Sequence, residues 1–167
     1  MAVPRAVPWA NWSEWEWVCE SLFGSCGAER CAALARVRTW QLRGGVPHAV
    51  ESTCLLVEVE AMGDGSTFRL AAAMAVTRCV NGLVDAGQTR QQAVSISVLA
   101  DGLGLPGWVV DVRHGATHNA LPSARVLRSA CATLVAYLRG RYWDPQRQRL
   151  LDLRRVVDVE IDAWLAR

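Results

Sequence analysis

The sequence contains no lysine; all 18 of its basic residues are arginine. Arginine suits bidentate recognition of phosphate, but the absence runs through the whole chain, and codon bias in the genome accounts for it more simply. Also missing is any C-x-x-C pair. The six cysteines stand at 19, 26, 31, 54, 79 and 131, which disfavours a zinc ribbon or finger. Most of them lie among apolar residues at helical spacings, which predicts buried free thiols in a reducing compartment. No apolar run approaches the roughly 20 residues of a membrane span. The opening MAVPRAVPWANW lacks the apolar stretch of a secretory signal. These absences predict a soluble, intracellular protein.

What is present is enough for a core. With 51% apolar and 20% charged residues over 167 positions, a single folded domain spanning 1–167 is expected. The net charge of +2 does not by itself point to nucleic acid, but its distribution is uneven. Residues 1–112 carry a net charge of −3, residues 113–155 carry +7 from nine arginines and two acids, and residues 156–167 carry −2. The basic stretch is the electrostatic footprint a polyanion would meet, or else a solvated helix surface. Eight tryptophans are many for this length. Trp9, Trp12, Trp15 and Trp17 crowd the start. Trp12, Trp15, Cys19, Leu22 and Phe23 share one helical face, which favours core packing over a platform for stacked bases.

The pattern is helical nearly throughout. Ser13 and Glu16 make an S-x-x-E capping box for a first helix to about Leu22, with Glu14 favouring its first turn. A second helix is expected from about Ala28 to Arg43, with Leu34, Val37 and Leu42 among its apolar positions. It is ended by Gly44, Gly45 and Pro47. A third spans about His48 to Met62, and a fourth about Thr67 to Val84 with Leu70, Met74, Val76 and Val80. AGQTRQQ is expected to be a loop. A short fifth helix follows over about Ala93–Leu103, and a sixth begins near Trp108 after Gly104 and Pro106. Ser123 caps a seventh helix to about Arg141. An eighth, over about 145–167, has Pro145 in its first turn, and its amphipathic face suits assembly. VSISV at 94–98 is the one strand-like run and stands alone, so an all-α bundle is the consistent architecture.

Two of the three histidines fall in the sixth helix, within DVRHGATHNALP. At about 100° per residue, His114 and His118 lie about 40° apart on one face, while Arg113 and His118 are about 140° apart with His114 between them. Two copies meeting about a two-fold axis would narrow that gap. Three chemistries compete. H-x-x-x-H on a helix is good metal-ligand spacing, with Asp111 as a further carboxylate, but the Glu of H-E-x-x-H is missing and Arg113 sets a fixed positive charge beside it. The histidines can be structural. Or they can serve acid–base chemistry on a phosphodiester, one imidazole taking a proton and another giving one while a guanidinium holds the phosphate. Elsewhere, Arg78, Asn81 and Asp85 share a helical face, better suited to an internal polar network than to RNA. Arg125, Arg128, Arg139 and Arg141 offer an RNA track, half of which would simply face solvent. His48 sits at a helix start. None of these is placed in the active site.

The surroundings add a resemblance. Arg-x4-His, from Arg113 to His118, is similar to the signature of HEPN-superfamily ribonucleases. LGLPGWVVDVRHGATHNALPSARVLRSA resembles the Las-one family of pre-ribosomal-RNA processing endoribonucleases. VPWANWSEWEWV, VRTWQLRGGVPHAVEST and AMAVTRCVNGLVD upstream and LRGRYWDPQ downstream resemble the same family in the same order, so the likeness covers about residues 7 to 150. It implies an all-helical HEPN-type bundle of seven to eight helices, a homodimer, and a composite site where two Arg-x4-His helices meet. It implies metal-independent cleavage, without a cofactor, in the second internal transcribed spacer of pre-rRNA, leaving a 2′,3′-cyclic phosphate and a 5′-hydroxyl. The catalytic residues it implies are Arg113, His114 and His118. It further implies a nuclear, nucleolar protein whose partner is a polynucleotide 5′-kinase gripped by a C-terminal tail beyond Arg167. The rival expectation is a non-catalytic HEPN-type scaffold that binds RNA or protein without cutting.

Overall fold

The computed structural model describes residues 7–85 and 95–166, and all regular structure among them is helical. The α-helices are α1 (Trp12–Phe23), α2 (Gly27–Arg43), α3 (His48–Glu60), α4 (Ser66–Asp85), α5 (Ile96–Gly102), α6 (Gly107–His118), α7 (Ala124–Leu138) and α8 (Asp144–Leu165). A five-residue π-helical segment, Arg139–Trp143, joins α7 to α8 without a loop. The all-α bundle expected from the sequence is therefore the observed architecture. The AGQTRQQ stretch and the expected beginning of the fifth helix lie outside the described residues.

Local signals set most helix ends. Ser95 and Ser123 cap α5 and α7, each hydroxyl accepting from a backbone N–H three residues on. Ile96, Ser97 and Val98 of the strand-like VSISV run therefore lie in α5. Gly104, at φ +72°, turns the chain between α5 and α6 in a conformation that favours glycine. The first helix departs from expectation. Its cap is Asn11, whose Oδ1 accepts from Glu14 N at 2.8 Å, and Glu14 reaches back to Ala10 N at 2.6 Å. The capping box is thus Asn11 with Glu14, and Ser13 is already inside the helix. Asparagine caps as well as serine, and two overlapping patterns competed for one helix end.

Two apolar clusters fill the interior. One gathers Phe68, Val76, Val80 and Val84 of α4 with Val109 and Val112 of α6 and Leu127, Leu134 and Leu138 of α7. The other is built on Trp9, Trp15, Trp40 and Trp143 with Val18, Leu22, Val37 and Leu150. α3 belongs to both, giving Leu56 and Val59 to the first and Val50, Cys54 and Val57 to the second. The indoles of Trp15 and Trp143 stack with centroids 5.1 Å apart, and Trp143 Nε1 donates to the buried Thr53 Oγ1 at 3.0 Å. Trp9, Trp15, Trp40 and Trp143 are core, whereas Trp12, expected on the buried face, and Trp17 are exposed.

Several apolar residues expected inside lie outside. Leu42, Leu70 and Met74 are exposed, because their helices bury a narrower stripe than their apolar content suggested. Cys19, Cys54, Cys79 and Cys131 are buried free thiols, whereas Cys26 and Cys31, at the start of α2, are exposed. Every described residue of α8 from Leu151 onward is exposed, and Arg147–Glu20 and Arg154–Glu16 ion pairs tie its first half to α1. Among the described residues, no helix is long and apolar enough to cross a membrane.

Candidate active site

α6 carries the motif. Val109 and Val112 face inward against α4 and α7, which turns the next residues of the helix to the rim of the bundle. Arg113 is half-buried, while His114 and His118 are exposed. The two imidazoles lie side by side, centroids 4.9 Å apart and planes at 46°, as one helical turn requires. Thr117 Oγ1 donates to the carbonyls of Arg113 and His114, both at 3.0 Å, so it serves the backbone rather than the site.

Arg113 reaches toward α4, where its Nε donates to Asn81 Oδ1 at 2.9 Å. Among the described residues it makes no ion pair, so its charge stands uncancelled. Asp111 is exposed and lines an open cavity of about 290 Å³ with Ile96, Ser97, Val110, Arg113 and His114. Among the described residues, no three His, Cys, Asp or Glu side chains come together as metal ligands would.

One residue of α4, Asn81, stands against the motif helix, and another, Arg69, against the loop that follows it. Asn81 was expected in an internal network apart from the site; it holds the candidate arginine itself. Arg78, one turn earlier, pairs with Glu51 at 3.0 Å. Arg69 donates through Nε to Pro122 O at 3.0 Å and through Nη2 to Leu121 O, clamping the loop directly after His118. His48 is structural as expected: it opens α3, and its Nε2 lies 3.1 Å from Cys79 O and 3.0 Å from Ser52 Oγ.

The basic stretch is less available than its charge suggested. Arg128 binds Asp64 and the carbonyls of Glu60 and Met62, and lies 4.2 Å over the Phe68 ring. Arg139 pairs with Asp144 and lies over Phe23, and Arg147, Arg154 and Arg155 each meet an acid. Of the four arginines expected as an RNA track, only Arg125 and Arg141 show no ion pair among the described residues.

The profile of the family described as Las1-like matches residues 7–145, which takes in α1 through the start of α8. The chain belongs to the Las1-like family. It is 37% identical over 147 residues to the pre-rRNA-processing protein las1 of Schizosaccharomyces pombe, covering 84% of this chain and 31% of that protein. It is 37% identical over 163 residues to the protein LAS1 of Saccharomyces cerevisiae, covering 87% of this chain and 32% of that one. With the ribosomal biogenesis protein LAS1L of Mus musculus it shares 33% over 147 residues, 19% of that protein's length. The chain therefore spans about a third or less of the length of these family members.

Proposed function

We propose that this chain is the catalytic HEPN-type domain of an endoribonuclease that processes pre-rRNA in large-subunit ribosome biogenesis, cutting in the second internal transcribed spacer. Membership in the Las1-like family, with relatives named for pre-rRNA processing, supports the substrate class and a nuclear setting, within which we assign the nucleolus. The observation that carries the chemistry is the exposed His114–His118 pair at 4.9 Å beside an arginine whose charge no acid neutralises among the described residues. The 2′-hydroxyl of the RNA is the nucleophile. One imidazole removes its proton while another protonates the leaving 5′-oxygen. The products are a 2′,3′-cyclic phosphate and a 5′-hydroxyl, and no metal is needed. His118 takes one of the two proton-transfer roles. His114 takes the other or orients the phosphate, and Arg113 binds the scissile phosphate as charge develops.

Because Arg113 and His118 are set about 140° apart by helical geometry, the complete site forms where two α6 helices meet in a homodimer. A polynucleotide 5′-kinase, which phosphorylates the new 5′ end, is the partner. The test is to incubate the protein, with and without the kinase, with a spacer RNA and to analyse the product ends. His118→Ala should lower cleavage by about 10²- to 10⁴-fold while the protein keeps its fold. Undiminished cutting by that variant refutes the proposal, and activity that vanishes in EDTA favours a metal site instead. A wild type that binds the RNA without cutting it identifies a scaffold.

A further inference from the structure

α4 and α6 pack through Val76, Val80, Val84, Val109 and Val112, a rigid apolar contact with little room for adjustment. At its edge stands one polar contact, Arg113 Nε to Asn81 Oδ1 at 2.9 Å, in a part-buried position. A guanidinium offers five N–H donors in a fixed plane. With Nε engaged by the protein, the plane is fixed and the outer fork, Nη1 and Nη2, is left for a bidentate grip on an anion.

The partner's chemistry matters as much as its place. Asn81 is a neutral acceptor, so it orients the guanidinium without cancelling its charge. A carboxylate in the same spot would do both. No acid pairs with Arg113 among the described residues. Glu51 of α3, which lines a cavity of about 250 Å³ together with Asn81, is paired with Arg78. Asp85, one turn after Asn81 on the same cavity wall, is exposed, as is Asp111 on α6.

We infer that Asn81 is a positioning residue for the cleavage reaction, holding Arg113 by Nε so that its two terminal amino groups meet the scissile phosphate end-on with full charge. This rests on the nuclease assignment above. Asn81 touches no reacting atom and acts only through Arg113. Two substitutions separate its two properties. Asn81→Ala removes the anchor. Asn81→Asp keeps the acceptor and adds a negative charge that competes with the phosphate.

The experiment uses the full chain with its kinase partner and a spacer RNA under single-turnover conditions. Binding is measured in parallel on the same RNA carrying a 2′-deoxy nucleotide at the cleavage position. Asn81→Ala should slow cleavage by about 10- to 10²-fold, the scale of a misplaced catalytic group, with RNA binding changed only a few-fold. Asn81→Asp should slow cleavage at least as much and weaken binding as well. In an Arg113→Ala background, Asn81→Ala should cost nothing further, because the residue through which it acts is gone. A purely structural role for Asn81 predicts the opposite, a loss that adds to that of Arg113→Ala. Wild-type rates in Asn81→Ala, or full additivity with Arg113→Ala, overturn the inference and leave the nuclease assignment standing. If Asn81→Ala does not fold, Asn81→Asp carries the test, and a wild-type rate in that variant overturns it. A wild-type protein without His118-dependent cleavage overturns the nuclease assignment and this inference with it.

Discussion

Gly82 sits inside α4, where helix propensity alone favours alanine by about 1 kcal/mol. The structure reverses that sign. A Cβ at this position would fall well inside contact distance of Cε1 and Nε2 of the His48 ring and 2.6 Å from Nδ1. The ring cannot yield freely. A carbonyl only accepts, so His48 Nε2 carries the hydrogen it donates to Cys79 O, with Ser52 Oγ 3.0 Å away. Forcing an extra methyl into such a site costs about 1–3 kcal/mol, and displacing the ring forfeits a hydrogen bond with a net value of about 0.5–1.5 kcal/mol. Set against the propensity gain, Gly82→Ala should destabilise the fold by about 1–3 kcal/mol. Urea unfolding followed by far-ultraviolet circular dichroism measures this directly, as a shift of the midpoint at unchanged slope. In a His48→Ala background the ring is gone and the same substitution should stabilise, by up to about 1 kcal/mol. A Gly82→Ala protein at least as stable as wild type, or one equally destabilised with and without His48, would show that the ring does not occupy this space.

Two further outcomes are expected. Trp143→Phe keeps an aromatic ring against Trp15 but removes the buried Nε1–H donated to Thr53 Oγ1. Loss of that bond and of indole volume should cost about 2–4 kcal/mol in thermal or urea unfolding; a cost under ~0.5 kcal/mol would refute the packing described. Burial pushes the Cys54, Cys79 and Cys131 thiols up to about 12 and Cys19 up to about 11, so all four stay protonated and shielded at neutral pH. A thiol reagent should therefore label Cys26 and Cys31 quickly in the native protein and the other four only after unfolding, as mass spectrometry of the labelled protein would reveal.

Much of this molecule was legible because its signals are local. Glycines and prolines mark helix ends, Ser123 marks the start of α7, and Val76 and Val80 fall on the buried face of α4. The motif helix was visible as a helix, with His114 and His118 on one side, from spacing alone. What failed was non-local or degenerate. Ser13 and Glu16 made the expected capping box, but Asn11 and Glu14, one pattern earlier, form the cap. Leu42, Leu70 and Met74 carry the right character on the wrong side of their stripes. The charge of the 113–155 stretch could be counted, but not that Glu16, Glu20 and Asp64, up to 138 residues away, would claim much of it. Asn81 and Arg113 are 32 residues apart, and nothing in either neighbourhood announces the contact.

The placement of α3 between the two apolar clusters has a consequence for how the domain comes apart. Each cluster needs α3 as one of its walls, so neither can open without exposing the other's lining. Unfolding of the tryptophan-rich side and of the side that carries the motif helix is therefore coupled into one cooperative event. A disturbance among the tryptophans, remote from any chemistry, lowers the population of molecules in which Arg113, His114 and His118 are in place. The candidate site inherits its persistence from a helix that contributes none of its three residues.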